Sequence, residues 1–406
     1  MKLLQLVNTS LEHEPPVFAL GSLLAKRGHK VLCIGYWRPT LAHTEEYSFG
    51  YRLNRIDRGR HTYLPRPLRG GWRHARYCRQ ALAIIADFKP DVIVAYNYDV
   101  LPLAVWGSRR GGCGGQTVYY CTEYTPSPGP YEYWSGWGFL KAMERRYVRR
   151  ADLLVSVEPN RAELQASAWN WKIDFVIPNA PPYDPKIDYE AREAARLRSG
   201  PAKLVYAGSI DHRNGLDGLL EAVTMLRDIT LDVYGRVAPA YEAAFRRKLR
   251  ACAAKSNNRI VYHGAMPYKD LALVLTRYDI GFALYGDDST NVRYAAPAKV
   301  FEYLRAGNAV ICTDQPAPSA VVEGAGVGHV VSTMDCNALA AGIRALTATP
   351  RELREFRQRA LDAFKHDLCY DKAAHGLLEW IEAAGERASR SVRSASKNSE
   401  SVGVNG

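Results

Sequence analysis

The sequence predicts an α/β protein with two doubly wound domains, in each of which helices cover both faces of a parallel sheet. Three observations support this fold class. Short apolar strands alternate with helix-like stretches in the first half, and the alternation starts again in the second half. Residues 181–200 between the halves are proline-rich and then charged. A chain of 406 residues also exceeds one typical core.

These boundaries predict a first domain at 1–180, a linker at 181–200 and a second domain at 201–350. Helices at 351–384 are expected to pack back on the first domain, and the Ser-, Gly- and charge-rich residues 385–406 are expected to be disordered. Ligands of such sheets bind beyond the carboxyl ends of the strands, so we expect the two domains to face a shared inter-domain cleft. The fold alone does not choose between enzymes and binding proteins.

The first half contains six predicted strands. Gly28, in the segment RGHKV, marks the point where the first helix stops before the second strand. Helices are predicted near 15–27 and 73–88. The strands are KLLQLV (2–7), KVLCIGY (30–36), DVIVAY (91–96), TVYYC (117–121), LLVSVE (153–158) and FVIPN (175–179).

The second half repeats this pattern with six further strands. They are KLVYAG (203–208), LDVYG (231–235), IVYHG (260–264), IGFALY (280–285), AVICT (309–313) and HVVS (329–332). Helices are predicted near 215–227, 239–254, 267–277, 297–306 and 335–348, before the C-terminal stretch at 351–384.

Composition argues against a membrane span and against a structural metal. No run of 18 apolar residues is present, and the apolar segment LLQLV after Met1 and Lys2 is too short for a signal peptide. The eight cysteines show no CxxC or metal-ligand spacing. Scattered cysteines of this kind suit a reducing cytoplasm, so a cytoplasmic location is expected.

The net charge of +12 is concentrated in the first half, where residues 1–180 hold 24 Lys and Arg against 15 Asp and Glu. Nine arginines and a single acid, Asp57, lie between Arg52 and Arg79. Such a block is compatible with a nucleic acid, an anionic substrate, an anionic membrane surface or an ordinary solvated face. No zinc-finger or RNP sequence is present, so we expect no nucleic-acid partner.

The segment YEYWSGWGFLKAMERRYVRR (131–150) combines aromatic and basic residues. It contains Trp134, Trp137, Phe139, Arg145, Arg146, Arg149 and Arg150. Aromatics beside a basic helix suit peripheral contact with an anionic membrane surface. The alternative is a core-facing helix with a charged outer side.

The stretch APAKVFEYLRAG (296–307) predicts a short helix that carries a cation and a carboxylate on one face. Pro297 suits its first turn, and Gly307 suits the stop after its end. Lys299 and Glu302 are three residues apart. They form either a surface salt bridge or two halves of a ligand site.

A second set of residues favours an anion site beside this helix. Three strands end in glycine, at Gly208, Gly235 and Gly264, which permits close approach of a ligand or a turn. After Gly208 the loop SIDHRNG leads into a helix start with Arg213 beside it, although an ordinary strand–helix turn would look the same. The loop has no GxGxxG or Walker sequence. Arg213 and Lys299 could bracket a diphosphate, and Glu302 could accept hydrogen bonds from the vicinal hydroxyls of a ribose.

These segments resemble the retaining GT-B glycosyltransferases of family 4 (glycosyl transferases group 1), from Lys2 to about Trp380. The resemblance is strongest in YAGSIDHRNGLDGLLEAV, IVYHGAMPYKDLALVLTRYDIGFALY and PAKVFEYLRAGNAVI. The last of these resembles the family variant P-x-K-x-x-E-Y-x-x-x-G-x-x-V-I. In the first half RGHKV, PDVIVAY, RRADLLVSVE and VIPNAP lie where the family has similar phrases. The resemblance implies two Rossmann-like domains and a nucleoside-diphosphate-sugar donor.

Carried over position by position, the resemblance assigns Glu302 to the ribose and Lys299 to the phosphates. Arg213 lies in the loop where the family places cations on the diphosphate, and the turn Gly264-Ala265-Met266 corresponds to the loop that faces the base. The further candidate donor-binding residues are Gly208, Ser209, Asn291 and Arg293.

The chain departs from the family pattern at four places. Tyr294 stands where many members have a glutamate eight residues before the ribose-binding one. Ser209 replaces the usual arginine after the strand-end glycine, and Asn214 replaces the usual loop lysine. The pair Thr122-Glu123 stands where a His-Asp/Glu pair is common. The resemblance therefore supports the nucleotide end of the site better than the sugar end.

The resemblance implies transfer with retention, in which the leaving phosphate helps to take the acceptor proton. Arg213 and Lys299 are the candidate cations that stabilise this leaving group, with Arg293 third, and no metal is expected because no DxD sequence ends a strand. Glu123 is a candidate to orient the acceptor. The candidate acceptor-binding residues are His13, Asn97, Glu123 and Tyr124.

The sequence thus predicts a peripheral, cytoplasmic transferase of polysaccharide biosynthesis or a related pathway, acting on a glycan, a lipid-linked acceptor or a small molecule. Two alternatives stay open. A nucleotide-sugar epimerase shares the fold, but the first half offers no convincing set of acid/base residues. A non-catalytic nucleotide-sugar-binding module would fit the atypical Tyr294, Ser209 and Asn214.

Overall fold

The protein is described by a computed structural model that covers residues 1–9, 15–38, 41–47, 50–57, 66–110, 115–126, 136–184 and 200–387, without the side chains of 66–69, 110, 136, 137 and 269. The chain forms two compact units. One contains Met1–Ile177 together with the residues from Ala374 onward, and the other contains Pro178–Ala373. The chain therefore passes from one unit to the other twice.

The described residues of the first unit form an eight-stranded sheet in the order β3-β4-β2-β1-β5-β6-β7-β8. Every neighbouring pair is parallel except β3 and β4. The central strands are buried on both faces, which explains their continuous apolar runs. The strands are β1 (Lys2–Val7), β2 (Lys30–Tyr36), β3 (Thr44–Tyr47), β4 (Tyr51–Ile56), β5 (Val92–Tyr96), β6 (Gln116–Cys121), β7 (Leu153–Ser156) and β8 (Phe175–Val176).

Helices follow these strands along the chain, as the alternating pattern predicts. They are α1 (Pro15–Lys26), α2 (Arg66–Phe88), α3 (Leu101–Arg110), α4 (Gly136–Val148) and α5 (Pro159–Trp169). None of the helices described here is both long enough and apolar enough to cross a lipid bilayer.

The second unit contains a six-stranded parallel sheet in the order β11-β10-β9-β12-β13-β14. The order reverses between β9 and β12, and this position is the topological switch point at which open α/β sheets bind ligands. The strands are β9 (Ala202–Ala207), β10 (Ile229–Tyr234), β11 (Ile260–Gly264), β12 (Ile280–Ala283), β13 (Ala309–Thr313) and β14 (Gly328–Val331).

Helices also connect the strands of the second unit. They are α6 (Leu216–Thr224), α7 (Glu242–Lys255), α8 (Tyr268–Leu275), α9 (Thr290–Arg293), α10 (Ala298–Arg305), α11 (Pro316–Gly324), α12 (Cys336–Leu346), α13 (Pro350–Ala363) and α14 (Tyr370–Ala373), with a π-helical turn at Phe364–Leu368. The two-sheet α/β fold class is thereby confirmed, and all twelve predicted strands are present, four of them with the predicted ends and the others with shifted ends.

Two strands, β3 and β4, were not predicted from the sequence, and β4 overlaps the start of the arginine-rich block. In β4 the sequence YRLNRI alternates, so Tyr51 and Leu53 are buried while Arg52 is exposed. Arg55 is also buried, because its guanidinium donates to the Ala42 carbonyl at 3.0 Å and to Glu45 at 2.8 Å. The block from Arg52 to Arg79 is therefore not a single basic surface.

The C-terminal helices are divided between the two units, whereas the sequence analysis treated 351–384 as one element. Residues 351–373 belong to the second unit. A helix at 375–387 belongs to the first unit, where Leu378 and Ile381 are fully buried. Glu382 pairs there with Arg27 and His29, each at 3.0 Å. The helix continues three residues past 384, and the remainder of the predicted disordered tail lies outside the described residues.

Candidate functional site

Three strand-end glycines form a continuous strip of backbone at the carboxyl edge of the second sheet. Gly208 donates to the Tyr234 carbonyl at 3.0 Å, and Gly235 donates to the Gly264 carbonyl at 2.8 Å. A Cβ on Gly235 would lie 1.8 Å from the Gly208 carbonyl oxygen, and the φ of Gly235 is +154°. Glycine is thus required here, and the strip has no side chains that would keep a ligand away from the backbone.

Lys299 lies directly against the first of these glycines. A Cβ on Gly208 would lie 2.2 Å from Lys299 Cε and 2.6 Å from Nζ. Gly208 directly follows β9, and Lys299, in the first turn of α10, also contacts the ring of Tyr285 after β12. The ammonium group therefore sits at the switch point of the sheet.

Tyr303 fixes α10 in this position. Its hydroxyl accepts from the Ala207 amide at 3.0 Å and donates to the Phe282 carbonyl at 3.2 Å, so one side chain bridges β9 and β12. Its ring packs on Gly281, where a Cβ would lie 2.3 Å from the ring carbons. Burial raises the pKa of Tyr303, which keeps the hydroxyl neutral and able to donate.

The ammonium of Lys299 is surrounded by aromatic rings. Nζ lies 4.8 Å from the ring centre of Tyr206 and 5.2 Å from that of Tyr285, and it donates to the Tyr206 hydroxyl at 3.3 Å. Among the side chains that the structure describes, no carboxylate lies within ion-pair distance of Lys299. The cation is therefore held without being neutralised.

Glu302 is buried one helical turn further along α10, with 3% of its surface exposed. One carboxylate oxygen accepts from the Tyr268 hydroxyl, and the other accepts from the Arg305 guanidinium. The alternative of a Lys299–Glu302 surface salt bridge is therefore wrong. Each carboxylate oxygen still has a further lone pair, so a ribose hydroxyl would have to share Glu302 with these partners. Arg305 follows Glu302 by three residues on the same helix, so this ion pair could be predicted from the sequence. The hydrogen bond from Tyr268 could not, because Tyr268 lies on α8.

Arg213 is paired with carboxylates in the loop after β9. Its guanidinium lies 2.9 Å from Asp211 and 3.9 Å from Asp288, and 53% of the side chain is exposed. Burial tends to raise the pKa of Asp211, but the hydrogen bonds from the Arg213 side chain and backbone lower it overall. Arg213 thus lies at the predicted edge of the sheet, but Asp211 and Asp288 partly compensate its positive charge.

Arg293 has the same kind of environment as Arg213. It ends the short helix α9, which also contains Asn291 and is capped by the hydroxyl of Ser289. Its guanidinium lies 3.5 Å from Asp314 and 3.9 Å from Asp287. Asp287 and Asp288 are neighbours in the loop after β12, so one acidic loop contacts both arginines.

The atypical residues after Gly208 stabilise the loop itself. The carbonyl of Ser209 accepts from the Tyr206 hydroxyl at 2.7 Å and from the Asn214 side-chain amide at 2.6 Å. Ala265 is exposed and Met266 half-buried in the turn after Gly264, whose φ is +80°. The turn predicted to face a base is therefore at least partly exposed.

In the first unit, Asn97 organises the turn that carries two other predicted residues. It adopts a left-handed conformation with a φ of +68° after β5, and its side chain exchanges hydrogen bonds with Thr122 at 2.8 and 3.0 Å. It also accepts from the Glu123 amide at 3.3 Å. The Asn97 side chain therefore positions Glu123, which is exposed, and Tyr124, which is half-buried. His13, the remaining acceptor candidate, lies outside the described residues.

A buried ion pair beside this turn was missed by the sequence analysis. Lys141 contacts Glu144 one turn away on α4, and the two are 8% and 1% exposed. Trp169 and Tyr119 also donate to Glu144. A small cavity between this pair and the turn is lined by Cys121, Glu123, Tyr124, Thr125, Lys141, Gln165, Ala168 and Trp169. The sequence does not show which side of a polar helix is covered, so the burial of Lys141 and Glu144 could not be foreseen.

Comparison with known proteins identifies the fold. The chain matches a sequence model of the glycosyl transferases group 1 over residues 188–362 and one of glycosyltransferase family 4 over residues 17–180. It shares its fold with sucrose-phosphate synthase from Thermosynechococcus elongatus, at 18% identity over 94% of this chain and 98% of that chain, with a TM-score of 0.67. A comparison with curated protein sequences gives no significant match.

Two further solved structures have the same fold. HepE from Anabaena, solved with UDP and glucose, is 13% identical over 94% of this chain and 100% of that chain, with a TM-score of 0.66. A glycosyltransferase from Rickettsia africae is 14% identical over 94% of this chain and 98% of that chain, with a TM-score of 0.63. The two glycosyltransferase family models follow one another along most of the chain, and its two-domain α/β fold is the GT-B fold of these structures.

Proposed function

We propose that the protein transfers a sugar from a nucleoside-diphosphate sugar to an acceptor with retention of configuration. One observation carries the proposal. At the switch point of the second sheet, the ammonium group of Lys299, which no carboxylate of the described side chains pairs with, lies against Gly208, and the buried carboxylate of Glu302 follows one helical turn later. Such a pair suits a ligand with a phosphate and vicinal hydroxyls at adjacent positions.

In the proposed reaction, Lys299 binds the diphosphate and stabilises the charge that develops on it, assisted by Arg213 and Arg293. The bond between the sugar and the diphosphate breaks, the acceptor oxygen bonds to the same sugar carbon from the same face, and its proton passes to the leaving phosphate. Fixed cations aimed at developing charge are often the largest catalytic contribution. We propose that these side chains supply the charge without an obligatory metal, so transfer should persist in the presence of EDTA.

UDP-sugars are the first donors to test. Among proteins with this fold, HepE was solved with UDP-glucose and with UDP. The turn formed by Ala265 and Met266 after Gly264 is proposed to face the base. Glu302 is proposed to accept hydrogen bonds from the ribose hydroxyls.

The acceptor is proposed to bind at the turn organised by Asn97, where Glu123 orients the reacting hydroxyl and Tyr124 contacts the acceptor. The exposure of Glu123 and its place at the carboxyl end of β6 support this assignment. The proposed acceptor is a glycan, a lipid-linked sugar or a small molecule, with polysaccharide biosynthesis as the proposed setting. Replacement of Glu123 by Gln should lower transfer more than donor binding.

Peripheral binding to an anionic membrane is proposed for the surface of α3 and α4. Three large aromatic side chains of the first unit are exposed there or nearby: Trp106 by 46%, Phe139 by 59% and Trp171 by 42%. Arg149 lies over the Trp171 ring at 5.9 Å, and it is exposed just after the end of α4, the helix that contains Arg145 and Arg146. Aromatics interleaved with arginines suit the headgroup region of a bilayer. The protein should bind vesicles rich in phosphatidylglycerol at low salt, and absence of binding there would remove this proposal.

A thermal-shift panel of UDP-, GDP-, ADP- and CMP-linked sugars tests the donor class, because a ligand that binds only the native state raises the melting temperature. Donors that raise the melting temperature are then assayed for transfer to a set of acceptors and for hydrolysis. Transfer with an anomerically retained product supports the proposal. Binding without turnover indicates a nucleotide-sugar-binding module, and an epimerised donor indicates an epimerase.

A further inference from the structure

The two tyrosines around Lys299 lie on opposite sides of the switch point. Tyr206 belongs to β9, and Tyr285 follows the end of β12. Tyr206 is fully buried, and its hydroxyl is fixed because it donates to the Ser209 carbonyl at 2.7 Å. Tyr285 is half-buried, and its backbone amide donates to the Thr313 hydroxyl at 3.0 Å. The Tyr206 ring is therefore held by burial and by this hydrogen bond, and the backbone that carries Tyr285 is tied to β13.

An aromatic face attracts a cation without cancelling its charge. The negative face of a ring holds an ammonium group within about 6 Å, whereas a carboxylate partner would neutralise it. Burial raises the pKa of both tyrosines, so the rings carry no charge at neutral pH. The two rings thus restrict the Lys299 side chain without placing a negative charge beside its ammonium group.

The length and flexibility of a lysine side chain make this restraint useful. A lysine side chain has several rotatable bonds, and it loses rotamer entropy when a ligand immobilises it. If the rings immobilise the side chain in the folded protein, the ligand does not have to do so, and affinity rises. A Cβ on Gly208 would lie 2.2 Å from Lys299 Cε and 2.6 Å from Nζ, so the end of the lysine side chain occupies the space that a side chain at position 208 would need.

We propose that Tyr206 and Tyr285 are positioning residues that hold Lys299 over Gly208 in the orientation that receives the donor diphosphate. This inference rests on the proposed function. The ring faces, and not the phenol hydroxyl of Tyr285, are the parts that matter, so phenylalanine should replace tyrosine at position 285 while leucine should not.

The test measures the affinity for the nucleoside diphosphate that binds the wild-type protein among UDP, GDP, ADP and CDP, by isothermal titration calorimetry. Tyr285→Leu should weaken binding about five- to ten-fold, whereas Tyr285→Phe should remain within two-fold of the wild type. Tyr278→Leu is the matched control, because Tyr278 is a buried tyrosine of the same unit whose hydroxyl bonds Tyr234 and Asp232. It should lose stability but keep its affinity.

A second measurement separates ring electrostatics from packing. Phenylalanines with one, two and three fluorine atoms on the ring are incorporated at position 285, since fluorination weakens the negative ring face with little change in shape. Affinity should fall stepwise with fluorination. Equal affinities across the series, or an equal loss for Tyr285→Phe and Tyr285→Leu, would overturn the inference. If none of the four diphosphates binds the wild-type protein, the proposed function itself fails.

Discussion

The cations predicted to bind the diphosphate have opposite environments. Lys299 is held by the faces of Tyr206 and Tyr285, which leave its charge intact. The guanidinium groups of Arg213 and Arg293 each lie near two carboxylates. One carboxylate beside each arginine, Asp288 or Asp287, belongs to the acidic loop after β12. An anion can approach Lys299 without displacing another anion, whereas at the arginines it must compete. Lys299 is therefore expected to dominate donor binding, and the arginines to modulate it.

The largest expected effect comes from Lys299→Ala. Loss of the unneutralised cation should lower kcat about 100-fold and weaken diphosphate binding, because a fixed charge aimed at the leaving group is removed. The comparison with Arg213→Ala is made by steady-state kinetics on the same donor. A larger loss of kcat for Arg213→Ala than for Lys299→Ala would contradict the inference that Lys299 dominates donor binding.

Glu302→Gln should have the next largest effect. The amide keeps the size of the side chain, but its nitrogen cannot accept a hydrogen bond, so nucleotide affinity should fall about ten-fold. Thermal unfolding serves as the control, because loss of the carboxylate also removes the charged partner of the largely buried Arg305. Glu302→Ala with unchanged nucleotide affinity by calorimetry would show that the ribose assignment is wrong.

Asp288→Asn should improve binding. The substitution removes a carboxylate 3.9 Å from Arg213 and leaves that cation more available, so diphosphate affinity should rise about three-fold at low salt. The gain should shrink at high salt, where exposed charges are screened. Glu355→Gln is the matched control, because Glu355 also pairs with an exposed arginine, Arg351, on α13. A loss of diphosphate affinity in Asp288→Asn would contradict the proposal that Asp288 competes with the diphosphate for Arg213.

The smallest effect concerns pH. The folded-state pKa of Asp211 is lowered, so its pairing with Arg213 stabilises the fold above the ordinary value of 3.8 and is lost as the pH falls through the lower folded-state value. Because Arg213 is exposed and solvent screens the pair, the contribution should be small. The aromatic contacts of Lys299 should not change in this range, since the tyrosines stay neutral. Hydrogen exchange of residues 209–215 at pH 6 and pH 3 measures the difference between wild type and Asp211→Asn, which should lack this response.

The parallel strands could be predicted because burial on both faces requires continuous apolar runs, as in KLLQLV and AVICT. β3 and β4 were missed because they lie at the edge of the first sheet and include charged residues, among them Arg55, whose partner Glu45 is contributed by the neighbouring strand. The division of the C-terminal helices between two units was also not predictable, since a continuous helical pattern does not show which core each turn packs on.

The sequence alone determined the two-sheet architecture, the strand-end glycines and the identities of Lys299 and Glu302, because each depends on local periodicity or on spacing within one helix. Only the tertiary structure decided the partners of these groups. Tyr206, Tyr285 and Tyr268 meet α10 from other elements, and the acidic loop meets Arg213 and Arg293 across strand ends. Whether a cation stays free for a ligand depends on such contacts between distant segments, which spacing along the chain does not encode.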